Sequence, residues 1–185
     1  MSFISKQLIL WHKLYGRHKL PWQQTNNPYA ILISEIMLQQ TQVKTVIPFF
    51  NSFISNYPDL NKLSYASEEN ILALWTGLGF YRRAKNIYKA KEVIKANFDN
   101  EFPSKFNEII SLPGIGDSTA GAIMSIAYKE PYPILDANVK RVISRYEDVV
   151  NDSSTASIKE LWALSMKHTP LKNIFEYTQG IMDIG

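Results

Sequence analysis

The sequence predicts an all-α fold. Three observations carry that expectation. Apolar residues recur at helical spacing along nearly the whole chain, short Pro, Gly or polar breaks separate the periodic stretches, and no stretch alternates apolar and polar residues as a half-buried strand does. The 185 residues suffice for one compact unit, or for two small lobes sharing a cleft, with a sizeable core. A hydrophobic share of 45% and a charged share of 20% fit a soluble globular chain. No apolar run reaches membrane-spanning length, and Met1 to Leu14 lacks the basic start and unbroken apolar stretch of a signal peptide. A cytoplasmic protein without a membrane partner is therefore expected.

The elements follow from their punctuation. Asn27-Pro28 predicts a cap and first position for a helix through Leu38. Thr41 is the expected cap of the next helix, which runs through Val46, Ile47, Phe50 and Ile54 to Tyr57-Pro58; Pro48 within it predicts a kink or a late start. Ser67 opens a short helix ending near Trp75, and Gly77-Leu78-Gly79 turns the chain into a basic helix over 81–97. Ser104 begins the helix that precedes Leu112-Pro113-Gly114-Ile115-Gly116, and a helix over 117–128 follows. Pro131 and Pro133 force an extended entry to Asp136, after which 138–146 reads as helix. Asn151 to Ser154 is a polar loop, followed by helices near 155–168 and 171–183. No repeat, low-complexity tract or clear interdomain linker is present.

Composition excludes several chemistries within these residues. Zero cysteines leave no disulfide, no thiolate catalysis and no Cys-ligated zinc or iron–sulfur site. The three histidines, His12, His18 and His168, show no metal-ligand spacing, so no metal is expected. The net charge of +3 is unevenly placed. Arg82, Arg83, Lys85, Lys89, Lys91 and Lys95 against Glu92 give +5 over 82–95, leaving −2 for the remainder by subtraction. A solvated helix face and a stripe facing nucleic acid both fit that run.

The two glycines at 114 and 116 stand between a short apolar helix and a second helix, which predicts a hairpin tight enough to press on another backbone. Its amides and the following helix N-terminus can face an anion, for which a phosphodiester is the natural candidate. Just after the hairpin stands Ser118 rather than a lysine, and a carboxylate, Asp136, lies twenty residues past Gly116.

Two carboxylates carry the chemistry. Glu35 sits in Ile31-Leu32-Ile33-Ser34-Glu35-Ile36-Met37-Leu38, a helix apolar on nearly all sides. It either faces an internal cleft, where burial keeps it protonated as a general acid requires, or points from the one exposed edge. Asp136 lies at the start of the helix over 138–146, where the dipole and unpaired amides favour the ionised form; a plain N-cap is the alternative. One carboxyl kept protonated and one kept anionic suits cleavage of a glycosidic bond through an oxocarbenium-like sugar.

The chain resembles adenine DNA glycosylases of the MutY type, within the helix-hairpin-helix glycosylase superfamily. The resemblance spans nearly all of it, through Tyr15-Gly16-Arg17, Leu20-Pro21-Trp22, Ser34 to Val43, Leu74-Trp75-Thr76-Gly77-Leu78-Gly79, Leu112 to Gly116, and Leu135-Asp136-Ala137-Asn138-Val139. It implies the superfamily's all-α fold, two helical lobes with the active site in the cleft between them. Residues from about 25 to 130 would form a lobe holding the hairpin, and 1–24 with 131–185 a second lobe. It implies a monomeric, cytoplasmic, nucleoid-associated enzyme of base excision repair. This hydrolase would excise adenine mispaired with 8-oxoguanine or guanine in double-stranded DNA, the nucleotide being flipped into a pocket.

Residue by residue, the resemblance makes Glu35 the acid that protonates adenine N7. Asp136 becomes the carboxylate that stabilises the oxocarbenium ion, with Asn138 its polar neighbour. Trp22, Gln23, Leu38, Val43 and Gln179 would line the adenine pocket, and Gln39 and Gln40 fall where the family inserts a Gln into the base stack. Phe80 stands where the family usually has a wedging Tyr, and is followed by Tyr81; an apolar ring still unstacks a base step but makes no hydroxyl contact. Leu112, Gly114, Gly116 and Ser118 belong to the DNA-anchoring hairpin, and Lys140 is a phosphate contact or an adventitious trap for an opened sugar. Asp117 stands where relatives often carry Arg, so weaker anchoring is expected.

The sequence ends at Gly185, before the family's four-cysteine loop for a [4Fe–4S] cluster and before its C-terminal recognition domain. The expectation is either part of a longer protein, in which case the cluster follows Gly185, or a shortened cluster-free form that binds damaged DNA less tightly and discriminates 8-oxoguanine poorly. The endonuclease III type resembles this chain in its hairpin and Asp but carries a lysine at the position of Ser118, and serine cannot form its imine. A monofunctional glycosylase is therefore expected, the alternatives being a bifunctional glycosylase/lyase of that type or a non-catalytic DNA-binding module.

Overall fold

The computed structural model describes residues 1–152 and 154–185, and every regular element among them is helical. Ser153, in the loop expected over Asn151 to Ser154, lies outside the described residues. The elements are α1 Phe3–Tyr15, a 3-10 turn Pro21–Gln24, α2 Pro28–Leu38, α3 Val43–Asn56, α4 Leu60–Leu63, α5 Glu68–Trp75, α6 Arg82–Asn97, α7 Phe106–Ile109, α8 Asp117–Ile126, α9 Ala137–Glu147, α10 Thr155–His168 and α11 Ile174–Ile184. No helix is long and apolar enough to cross a membrane among the described residues.

Local chemistry explains most boundaries. Asn27 caps α2 by accepting the Tyr29 amide at 3.0 Å, with Pro28 at the first helical position. Ser67 caps α5 and Asp136 caps α9, each accepting an amide three residues on. Other boundaries depart from expectation. Gln42, not Thr41, precedes α3; the Thr41 hydroxyl turns back toward the Gln39 carbonyl instead. α3 begins at Val43 with Pro48 inside it, so there is no late start, and the missing Pro48 N–H leaves the Lys44 carbonyl without its helical partner. Lys105 rather than Ser104 precedes α7, and α11 starts only at Ile174 because Asn173 takes a left-handed φ of 55°. α1, capped by Ser2, and the four-residue α4, capped by Asp59, are helices that the sequence pattern did not predict.

The chain divides into two compact units, one Lys19–Thr119 and the other Met1–His18 with Ala120–Gly185. The breaks fall at 18/19 and 119/120, where the sequence reading puts them near 24/25 and 130/131. The turn Pro21–Gln24 packs on α2 and α3, which draws residues 19–24 into the first unit. Within the second, the Gly121 Cα lies so close to the Pro133 carbonyl that a Cβ there would collide with its oxygen, and this approach fastens α8 to the segment before α9.

In the first unit α3 packs on α2 and α5, and α6 packs on α2 and α5. Its core includes Trp75, Tyr29, Phe53, Ile33, Ile71, Ile87 and Ile94. The Tyr29 hydroxyl donates to the Tyr57 carbonyl at 2.7 Å, which pins the start of α2 to the end of α3. In the second unit α11 packs on α1 and α9, and α10 on α9, around Leu8, Val139, Ile143, Leu161, Tyr177 and Ile181.

Candidate active site

Glu35 lies on α2, where every other residue from Tyr29 to Met37 is buried. It alone is half-buried, the one position of that stretch that reaches the surface. The structure thus places the Glu35 carboxyl at the margin of an apolar helix.

Asp136 belongs to the other unit and is held in place by two serines. The Ser125 hydroxyl donates to the Tyr132 carbonyl at 2.9 Å and the Ser165 hydroxyl to the Ile134 carbonyl at 2.7 Å, so the extended segment between α8 and α9 is tied from both sides. Asp136 follows, its carboxylate accepting the Val139 amide at 2.8 Å while its carbonyl takes the first helical bond, from Lys140, at 2.9 Å.

The expectation that the helix terminus settles its charge needs correction. Burial pushes the Asp136 carboxyl above the usual aspartate value, and the opposing pull of the Val139 and Asn138 amides and the Arg141 guanidinium is smaller. Asn138 supports Asp136 through its backbone amide; its side-chain oxygen accepts from Arg141 Nη2 at 2.6 Å. Arg141 thus joins the site without having been singled out in the sequence. The signal was its i, i+3 spacing from Asn138 on one helix.

Of the residues assigned to a base pocket, Trp22, Gln23, Leu38 and Val43 lie in the first unit, on a turn and two helix ends that pack together. Trp22 is only 5% exposed and meets the Phe50 ring edge-on, with centroids 5.4 Å apart. Gln179 is buried on α11 in the second unit, which packs on the α9 that carries Asp136.

The turns assigned to DNA have distinct local structures. Gln40 follows α2 with φ 57°, and Phe80 precedes α6 with φ 49°, both left-handed conformations unusual for non-glycine residues. Gln40, Phe80 and Tyr81 are exposed, whereas Gln39 is half-buried. At the hairpin, Gly114 takes φ 85° and lies against the Asn86 side chain rather than against backbone. Gly116 is exposed, with open space where a Cβ would be. Leu112 is 2% exposed and its carbonyl accepts the Ile115 amide, so its side chain packs within the hairpin. Asp117 is the first helical residue of α8 and is exposed; Ser118 and Lys140 are half-buried.

The basic run also divides. Arg83 and Lys91 turn inward, the ammonium of Lys91 donating to the Ala66 carbonyl at 2.8 Å, while Arg82, Lys85, Lys89 and Lys95 stay outside the buried core. Neither a wholly solvated face nor a continuous six-cation stripe describes α6. Among the described residues no three His, Asp or Glu side chains are grouped to hold a metal ion.

The chain matches the family described as HhH-GPD superfamily base excision DNA repair protein over residues 33–166. It is 47% identical over 185 residues to an adenine DNA glycosylase of Buchnera aphidicola subsp. Schizaphis graminum, covering 99% of this chain and 53% of that protein. To a human adenine DNA glycosylase it is 33% identical over 188 residues, covering 96% of this chain and 34% of that one. The chain thus spans about half the length of the first relative and about a third of the second. Among solved structures, a thermostable thymine-DNA glycosylase superposes with a TM-score of 0.85 at 25% identity, over 97% of this chain and 83% of that one. An endonuclease III in a non-covalent DNA complex gives 0.82 at 21% identity, over 99% of this chain and 83% of that one, which shows a common fold.

Proposed function

This chain belongs to the HhH-GPD superfamily of base excision DNA repair proteins, and from that premise we propose that it hydrolyses the N-glycosidic bond of adenine opposite 8-oxoguanine or guanine in double-stranded DNA. The observation that carries the reading is Glu35, the one residue between Tyr29 and Met37 left partly open on an otherwise buried helix. A carboxyl at that position can reach a base brought against the helix and give it a proton.

In this reading Glu35 gives its proton to adenine N7, and the C1′–N9 bond breaks with its electron pair going to N9. The Asp136 carboxylate, held by the amides of α9, faces the oxocarbenium sugar, and water adds at C1′, returning a proton to the Glu35 carboxylate, to leave an abasic site and free adenine. Trp22, Gln23, Leu38, Val43 and Gln179 surround the flipped base. Gln39, Gln40, Phe80 and Tyr81 enter the stack it left, while Gly114, Gly116, Ser118 and Lys140 meet the phosphates. Ser118 supports a monofunctional enzyme, since no amine stands there to form an imine with the opened sugar. The superfamily relatives' [4Fe–4S] cluster requires cysteine ligands that these residues do not contain, and no step here runs through it.

Single-turnover release of adenine from a duplex bearing adenine opposite 8-oxoguanine tests the reading. Glu35→Gln should slow release by roughly 10²–10⁴-fold while duplex binding persists. Equal inertness of wild type and variant would leave a DNA-binding module, and robust strand nicking without alkali, with borohydride trapping, would mark a lyase.

A further inference from the structure

Arg83 bonds to carbonyls from two separate turns of the first unit, and nothing in the mechanism above uses it. It is 7% exposed. Its Nη1 shares two protons among the carbonyls of Ile36, Met37 and Gln39, at 3.1, 2.7 and 2.7 Å. These are carbonyls that α2 cannot satisfy at its own C-terminus. Its Nη2 donates to the Gly79 carbonyl at 3.2 Å, with the Leu78 carbonyl at 3.5 Å, and Trp75 Nε1 donates to the same Gly79 oxygen at 2.9 Å. The guanidinium carbon lies 5.2 Å from the Phe80 ring centroid and 5.4 Å from that of Trp75.

The pattern has a particular register. Gln39 and Gly79 are the residues immediately before Gln40 and Phe80, the two non-glycine residues that end these turns in left-handed conformations. One planar fork therefore grips the peptide leading into each of two strained, exposed residues that lie far apart in sequence. A lysine could not do this, because its ammonium is a single point on a flexible stem.

We propose that Arg83 is a positioning residue that locks the Gln39–Thr41 turn and the Gly79–Tyr81 turn into one rigid reader, so that Gln40 and Phe80 enter a base stack together. Its DNA half rests on the glycosylase reading above; its mechanical half does not. Two separate wedges would each lose freedom on binding, whereas a pre-joined pair has already lost it, which favours extrusion of a paired base.

Hydrogen exchange on the free 185-residue chain tests the mechanical half without any variant. The amides of segments 38–42 and 78–82 should open together, with the same dependence on denaturant. Different dependences overturn the proposal. In Arg83→Lys both segments should exchange about tenfold faster while α11 is unchanged; faster exchange in one segment only, or everywhere, overturns it too. The DNA half is read by single-turnover release from two substrates. Release from paired adenine opposite 8-oxoguanine should fall about 100-fold in Arg83→Lys, and release from an adenine already unpaired in a bulge should stay near wild type. Equal losses on both substrates overturn a positioning role in favour of a merely structural one. If the wild type releases no adenine from either, the glycosylase reading fails, while the exchange data still decide whether the two turns are one body.

Discussion

Asp136 is pulled in two directions, and the balance sets a measurable pH dependence. Burial raises its pKa above the ordinary aspartate value of 3.8; the amides of Val139 and Asn138 and the charge of Arg141 lower it by less. The anion that the proposed reaction needs is therefore lost on acidification at a pH above 3.8, and the acid limb of single-turnover adenine release should begin there. Arg141→Gln removes a lowering contribution, so the limb should move to higher pH; a limb unmoved by this change would place the titrating group elsewhere. The sequence made Asp136 legible as an N-cap, since a carboxylate before a helix is a local pattern. The segment that leads into it is tied by Ser125 of α8 and Ser165 of α10, and no local pattern reports that. Glu35 was legible for a complementary reason: a lone carboxylate in an apolar helix stands out wherever the helix goes.

At the scale of elements, the glycine hairpin separates two roles that the sequence wrote with the same residue. Gly114 needs its φ of 85° and lies against Asn86, whose Cβ would stand 2.7 Å from an added methyl. Gly114→Ala should cost roughly 1–3 kcal/mol of stability, read by chemical denaturation. Gly116 has nothing within 4 Å of the place a Cβ would take. Gly116→Ala should leave stability within about 0.5 kcal/mol of wild type while weakening duplex binding, because in the proposed reading the methyl would occupy the space through which a phosphodiester approaches. The basic helix shows the same division. Its six cations were legible as a run, but period and charge could not tell that Arg83 and Lys91 point inward, since long side chains leave their face to reach carbonyls on other elements. α1 was not legible because its outward face is apolar too: Phe3, Leu10 and Leu14 are exposed, which blurs the periodicity that marks an amphipathic helix.

For the whole molecule, acid stability is the accessible readout, and His12, Glu147 and Asp136 each contribute to its sign. His12 is 2% exposed, between the His18 and Phe175 rings, and burial lowers its pKa from 6.5, with His18 adding to the effect. The unfolded chain then binds the proton first, so stability should fall as pH drops through 6.5 toward the folded value. Glu147 is lowered below 4.5 chiefly by its hydrogen bond with His168, so its contribution is present above that value and lost as pH falls below it. Asp136, raised by burial, acts in the opposite sense above 3.8. Melting temperature should therefore decline between about pH 7 and pH 5, and His12→Leu should flatten that limb; an unchanged slope would assign it to other groups. By itself the sequence determined the all-α class, most helix boundaries and the family, because caps, prolines, glycines and ordered motif blocks are local and survive without knowledge of neighbours. Only the tertiary structure decided which charges are internal, where the chain divides and that one guanidinium grips two distant turns. Those outcomes depend on carbonyls and surfaces brought close by packing, and sequence separation does not report such distances.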